Sequence, residues 1–348
     1  MKLQQHVFLY LVLLLSLCAC DSAKKGIEPK NKTIKTDIDK ICLANNFNGS
    51  ILLTKNNTVV YSKTFGYSDI STKKRLNNED LFVIGSISKQ ITAVLVLREY
   101  EKGTLKLEDK ISTYLPEIAQ SWANDVTIHQ LLTHTHGIVD LEQPLEFEQG
   151  TQFHYSQLGF ELLSKILEKI TAQSFEDLAT TLFKQQGLKN TFHPNNKTYK
   201  NLVKGYEENE NGLLEFADNS LMNYVAAGSF ISNCEDLNKW NELLHTNQLV
   251  KEATLQLMST KYATRIHPIF ETVDYGYGLL FKDGENKIQI GALGYAPGFV
   301  SASYYYPQTK MNLVVLENTA YTPNNIKNTF KTHLALMDLI KNINSQQL

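Results

Sequence analysis

The sequence predicts an α/β (α+β) protein: one antiparallel sheet formed from both chain ends and flanked by helices, with a large helical region inserted between about residues 85 and 265. Three observations predict it. Runs rich in β-branched and aromatic residues open the domain after residue 46, similar runs close it after Tyr275, and stretches with helical periodicity fill the middle. A cleft is expected between the sheet and the helical insertion.

The elements follow in order. Lys2 and the apolar run "VFLYLVLLLSL" read as a signal peptide over residues 1–19, because the run is shorter than the ~20 residues of a bilayer-spanning helix. Leu17 and Ala19 precede Cys20 as in a bacterial lipobox, so Cys20 is expected to become a lipidated N-terminus rather than a chance cysteine. Secretion across the inner membrane and lipid anchoring in a bacterial cell envelope would follow. Residues 20–45 are Lys-rich at first and poor in large apolar side chains, which is the composition of a flexible tether. The folded domain is then expected over 46–348.

Within that domain, "GSILLTKNNTVVYSKTF" is a hairpin turning at Asn56-Asn57. "YGYGLLFKDGENKIQIGALG" is a second, turning at Asp283-Gly284, and "GFVSASYYYPQTKMNLVVLENT" a third, turning at Pro307. Helices are expected from Ile84 to Glu101, stopped by Gly103, over Ile128–Leu132, along "QLGFELLSKILEKITA", along "CEDLNKWNELLHT", and from about Asn324 to Ile343.

A chain of 348 residues with 43% hydrophobic residues supports a large core. Its net charge of −2, with Lys and Arg scattered, gives no footprint for nucleic acid. With Cys18 cleaved off and Cys20 acylated, Cys42 and Cys234 are expected to be free buried thiols.

Chemistry concentrates at "GSISKQIT". Residues i and i+3 share a helix face, so Ser86 and Lys89 can act as nucleophile and base. At the start of an apolar helix, both desolvation and the helix dipole disfavour the Lys89 ammonium. Ser22-Lys25 and Ser71-Lys74 match the same S-x-x-K spacing in polar surroundings, so spacing alone decides nothing.

Context decides. "GSISKQIT", "LLTHTHGI", "HYSQLGFELLSKILEKIT", "AAGSFISNCEDLNKW", "YGYGLLF" and "GYAPGFVSASYYYP" resemble, in order and spacing, the serine β-lactamase and penicillin-binding protein superfamily, in its branch of class C β-lactamases, D,D-peptidases and esterases. The resemblance spans about Phe47 to Thr319. It implies that Ser86 is the acylated nucleophile, that Lys89 helps deprotonate it, and that Tyr155 shuttles the proton to the leaving group. It also implies substrate binding by the amide of Gln157, and an oxyanion hole made by the backbone N–H groups of Ser86 and of Tyr295, just past Gly294.

Two departures from the pattern matter. Gln157 stands where Asn is usual, and Ala292 occupies the place of the third motif's cation in "ALG". Losing that cation should cost about 1.5–3 kcal/mol with an anionic ligand. Esters and small amides without a carboxylate are therefore expected ahead of D,D-peptides and β-lactams, and a penicillin-fold receptor without turnover is the alternative from another class. No cofactor or metal is expected: "HTHGIVD" brings His134, His136 and Asp140 close in sequence, but no further ligand set clusters nearby.

Overall fold

The computed structural model of the chain describes residues 30–195, 199–281 and 289–343. The signal peptide, Cys20 and the turn expected at Asp283-Gly284 lie outside them.

Eight strands form the main sheet: β1 (Gly49–Lys55), β2 (Thr58–Phe65), β3 (Ala263–His267), β4 (Glu271–Tyr275), β5 (Leu280–Phe281), β6 (Ile290–Ala296), β7 (Phe299–Tyr306) and β8 (Met311–Glu317). Their order across the sheet is β2-β1-β8-β7-β6-β5-β4-β3, and every neighbouring pair is antiparallel. β1 lies beside β8, Gly49 opposite Glu317, so the two ends of the domain pair within one sheet as the sequence predicts. Asn56 and Asn57 have φ of 47° and 62°, which the tight turn between β1 and β2 requires and asparagine tolerates.

Side-chain alternation explains why helices cover both faces. On β1 and β8, Ile51, Leu53, Leu313 and Val315 point into one core, while Leu52, Val314 and Leu316 point into the other. The larger core is shared with α2 (Ser88–Lys102), α3 (Leu158–Thr171), α4 (Phe175–Gln186) and α5 (Cys234–His245), which belong to the insertion. Helical structure in the insertion ends at Met258, and β3 starts at Ala263, slightly before the expected boundary. In β7, Tyr304 and Tyr306 are buried, while Tyr305 between them stacks on His245 with centroids 4.2 Å apart.

The smaller core corrects one expectation. From Lys30 to Ala44 the supposed tether is a helix, α1, packed beside α6 (Lys331–Lys341). Ile34, Ile38 and Cys42 form a buried stripe at i, i+4 and i+8, whereas Lys35 and Lys40 face solvent. Lysine-rich composition hid that stripe. Cys42 and Cys234 are free and buried, and burial pushes both thiols up to about 12.

Candidate active site

Ser86 sits in a single 3₁₀ turn, Gly85–Ile87, that leads into α2; α-helical geometry begins only at Ser88. The turn interlocks with β6 backbone to backbone. Gly85 has φ +55°, and a Cβ there would lie 2.5 Å from the Tyr295 nitrogen; a Cβ on Gly294 would lie 2.1 Å from the Ile84 carbonyl oxygen. Hydroxyls fasten the same turn. Ser301 Oγ donates to the Ile84 carbonyl at 2.8 Å, and Ser88 Oγ donates to the Gly85 carbonyl at 2.7 Å while accepting the Phe230 N–H at 3.2 Å. Ser86 is thereby held, half-exposed, where the amide edge of β6 approaches its own N–H.

Three residues on, Lys89 is 1% exposed. Its Nζ donates to Gln157 Oε1 at 2.5 Å and to the carbonyl of Ala227 at 2.8 Å. Ala227 belongs to a π-helical turn, Val225–Ser229, whose Ala226 N–H is held by the carboxylate of Glu161 at 3.0 Å. Burial depresses the pKa of Lys89, with the charges of Tyr155 and Glu161 opposing. A neutral amine has two N–H groups and one lone pair. Gln157 and Ala227 accept two protons, which leaves the third position of the nitrogen for Tyr155.

Tyr155 lies in the loop before α3 and is bracketed by His134: the His154 N–H donates to the His134 carbonyl at 2.9 Å, and the Ser156 N–H to His134 Nδ1 at 3.2 Å. Lys89 Nζ stands 4.6 Å from the centroid of the Tyr155 ring, and Ser86, Lys89 and Tyr155 line the same cleft. Burial raises the pKa of this phenol, but the charge of Lys89, the nearby polar groups of Lys89 and Ser86, and the charge of Arg265 together bring it below the ordinary value. The site therefore gathers a hydroxyl, a phenol and a buried amine at one cleft, the groups that a proton relay to and from a serine nucleophile requires.

His134 is part of this scaffold. It is buried and held neutral by desolvation; Nδ1 accepts from Ser156, so Nε2 carries the proton toward the Tyr275 hydroxyl at 3.0 Å. His136 Nδ1 accepts the Ile138 N–H at 2.9 Å. Among the described residues no group of three or more His, Cys, Asp or Glu is arranged to hold a metal ion.

Ser86, Lys89 and Tyr155 open into a cleft of about 200 Å³ whose sheet-side wall includes Ala292, Leu293, Tyr295 and Arg265. Ala292 offers only a methyl group, and Tyr295 turns its hydroxyl away to the Glu207 carboxylate at 2.5 Å. Of the residues expected from sequence, Ser86, Lys89, Tyr155, Gly294 and Tyr295 come together. Gln157 comes with them in a different posture, its carbonyl oxygen turned to Lys89. Sequence reasoning missed three groups. Ala227 acts through its backbone carbonyl and Glu161 through a carboxylate bound to a backbone N–H, pairings that leave no motif, and Arg265 sits on a strand whose pairing partner is not evident from local pattern.

A family profile described as beta-lactamase matches residues 46–336. The chain belongs to the β-lactamase family. It is a serine hydrolase of that family, 26% identical over 330 residues to a penicillin-binding protein of Bacillus subtilis (strain 168), a match covering 83% of this chain and 72% of that protein. It is 24% identical over 286 residues to a teichoic acid D-alanine hydrolase of Staphylococcus aureus, covering 77% of this chain and 70% of that one. In fold it is similar to a penicillin-binding protein from Bacillus halodurans, with a TM-score of 0.76 at 22% identity, over 87% of this chain and 98% of that chain. This β-lactamase-family protein has the antiparallel sheet and helical insertion that its motifs imply.

Proposed function

We propose that the protein hydrolyses small esters or amides through an acyl-enzyme on Ser86. One observation carries the reading: the amine of Lys89 is dry and lies 4.6 Å from the centroid of the Tyr155 ring, in the cleft that both share with Ser86. In the proposed reaction Ser86 Oγ attacks the carbonyl carbon as its proton passes to the Tyr155–Lys89 pair. The oxygen that becomes negative is stabilised by the N–H groups of Ser86 and Tyr295. Tyr155 then returns the proton to the leaving nitrogen or oxygen and the C–N or C–O bond breaks; water, giving its proton to the same pair, attacks the acyl carbon, the bond to Ser86 Oγ breaks, and the pair returns that proton to Oγ as the acid leaves.

A D,D-carboxypeptidase or β-lactamase is the second reading, favoured by the penicillin-binding relative. Side-by-side turnover of a short-chain p-nitrophenyl ester, a chromogenic cephalosporin and a D-Ala-D-Ala peptide separates the two. Fast ester cleavage is expected; rapid cephalosporin hydrolysis with little esterase activity overturns the ester preference. A fluorophosphonate probe should label the wild type and not Ser86→Ala, and failure to label the wild type would favour a receptor that binds without turnover. We also propose that Cys20 carries the lipid anchor. If so, Cys20→Ala frees the protein from the membrane fraction, and retention there refutes it.

A further inference from the structure

The cation missing from β6 has a counterpart on another strand. Arg265 lies on β3 opposite Val273 of β4 and shares its face with Tyr275, whose hydroxyl bonds His134, so the hairpin turns this guanidinium toward the catalytic side. Its central carbon stands 4.6 Å from the centroid of the Tyr155 ring and 5.6 Å from that of Phe153. Arg265 is half-buried, lines the same cleft as Ser86, and makes no ion pair with any carboxylate among the described residues. A partly dehydrated guanidinium normally sits in a bidentate bond to a carboxylate. Here its neighbours include the aromatic faces of Tyr155 and Phe153, which favour its charge but do not engage its N–H fork, and no carboxylate among the described residues does.

We propose that Arg265 is the specificity-determining residue that binds a carboxylate on the leaving-group side of the substrate, replacing from β3 the charge that Ala292 no longer supplies from β6. This rests on the acyl-enzyme reading above for the direction of the leaving group: Tyr155, against which Arg265 stacks, is the group that hands a proton to the departing atom. The substrate class becomes an ester or amide whose alcohol or amine portion carries a carboxylate, as when an amino acid or hydroxy acid is released. The expectation of uncharged substrates, drawn from Ala292 alone, is thereby replaced.

The test compares two esters of one acyl group, 3-carboxyphenyl acetate and phenyl acetate, on the wild type, Arg265→Met and Arg265→Lys. Arg265→Met should raise KM for the carboxylated ester about 10–100-fold more than KM for phenyl acetate, while any fall in kcat from losing the charge beside Tyr155 is shared by both esters. Arg265→Lys should recover part of the loss, because an ammonium keeps the charge without the fork. Equal losses on both esters, or a moved acid limb of kcat with an unchanged KM ratio, would show that Arg265 only tunes Tyr155 and would overturn the proposal. Calorimetric binding of 3-hydroxybenzoate to the same three proteins needs no turnover. Binding that depends on Arg265 without ester cleavage keeps this inference and removes the hydrolase reading, whereas cleavage without such dependence does the reverse. Melting curves of the Lys variant guard against a fold defect in the Met variant.

Discussion

The two walls of the cleft differ in how their residues are held. On the helical wall Ser86, Lys89 and Tyr155 are each fixed by several bonds: the 3₁₀ turn by Ser88 and Ser301, the amine by Gln157 and Ala227, and the phenol's loop by His134. On the sheet wall Ala292 is a bare methyl, and the nearby charge is borne by an arginine that lies over the Tyr155 and Phe153 rings. The contrast teaches that proton transfer demands fixed geometry at every atom, while recognition of a charged group tolerates its cation arriving from a different strand.

The strongest way to break this contrast is at its centre. Ser86→Ala should lower turnover by about 10⁴-fold or more and abolish any acyl-enzyme seen by intact-protein mass spectrometry, leaving the melting temperature near that of the wild type. Residual turnover within tenfold of the wild type would move the nucleophile elsewhere. Lys89→Met and Tyr155→Phe should each cost about 10²–10⁴-fold in kcat. Lys89→Met carries a second expectation. Burial depresses Lys89, so below the ordinary value of 10.5 the unfolded chain binds more protons at this group than the native one, and the native state loses stability as pH falls. Methionine removes that penalty, and the variant should be more stable than the wild type at neutral pH by about 0.5–2 kcal/mol in urea denaturation.

Gly294→Ala tests the joint between the walls. Its Cβ would meet the Ile84 carbonyl oxygen at 2.1 Å, so β6 and the Ser86 turn must separate. A loss of about 1–3 kcal/mol of stability is expected, with a fall in kcat that exceeds the change in KM, because the N–H pair at Ser86 and Tyr295 is spread. An unchanged kcat would detach Tyr295 from the chemistry.

The mildest change sharpens the comparison. The proposed reaction needs the Lys89–Tyr155 pair one proton short, and both groups sit below their ordinary values, so kcat should fall as pH drops through the pair's titration. In Gln157→Glu a carboxylate beside Nζ favours the ammonium, and this acid limb should move to higher pH. A profile that does not move would mean that residue 157 does not set the state of the amine.

Much of this was legible in the sequence. Asn56-Asn57 announces a hairpin, Gly103 ends α2 with φ +76°, and runs rich in β-branched and aromatic residues mark the strands at both ends of the domain. These are local signals, set by φ/ψ preference and by periodicity. The stripe Ile34, Ile38, Cys42 was equally present and was masked by the lysines around it. Gln157 was identified as a site residue, but its bond to Lys89 was not, since nothing local says which way an amide turns.

The sequence by itself determined that both chain ends build one sheet and that a serine and a lysine share a turn at the head of an apolar helix, because both follow from repeats of two and of about 3.6 residues along a single chain. Only the tertiary structure decided that the amine would be dry, that Ala227 and Gln157 would take its protons, and that Arg265 would lie over Tyr155. Those depend on atoms 138, 68 and 110 residues apart in sequence meeting at distances of a few ångströms, and a water-excluding contact between distant segments is a property of the packed chain alone.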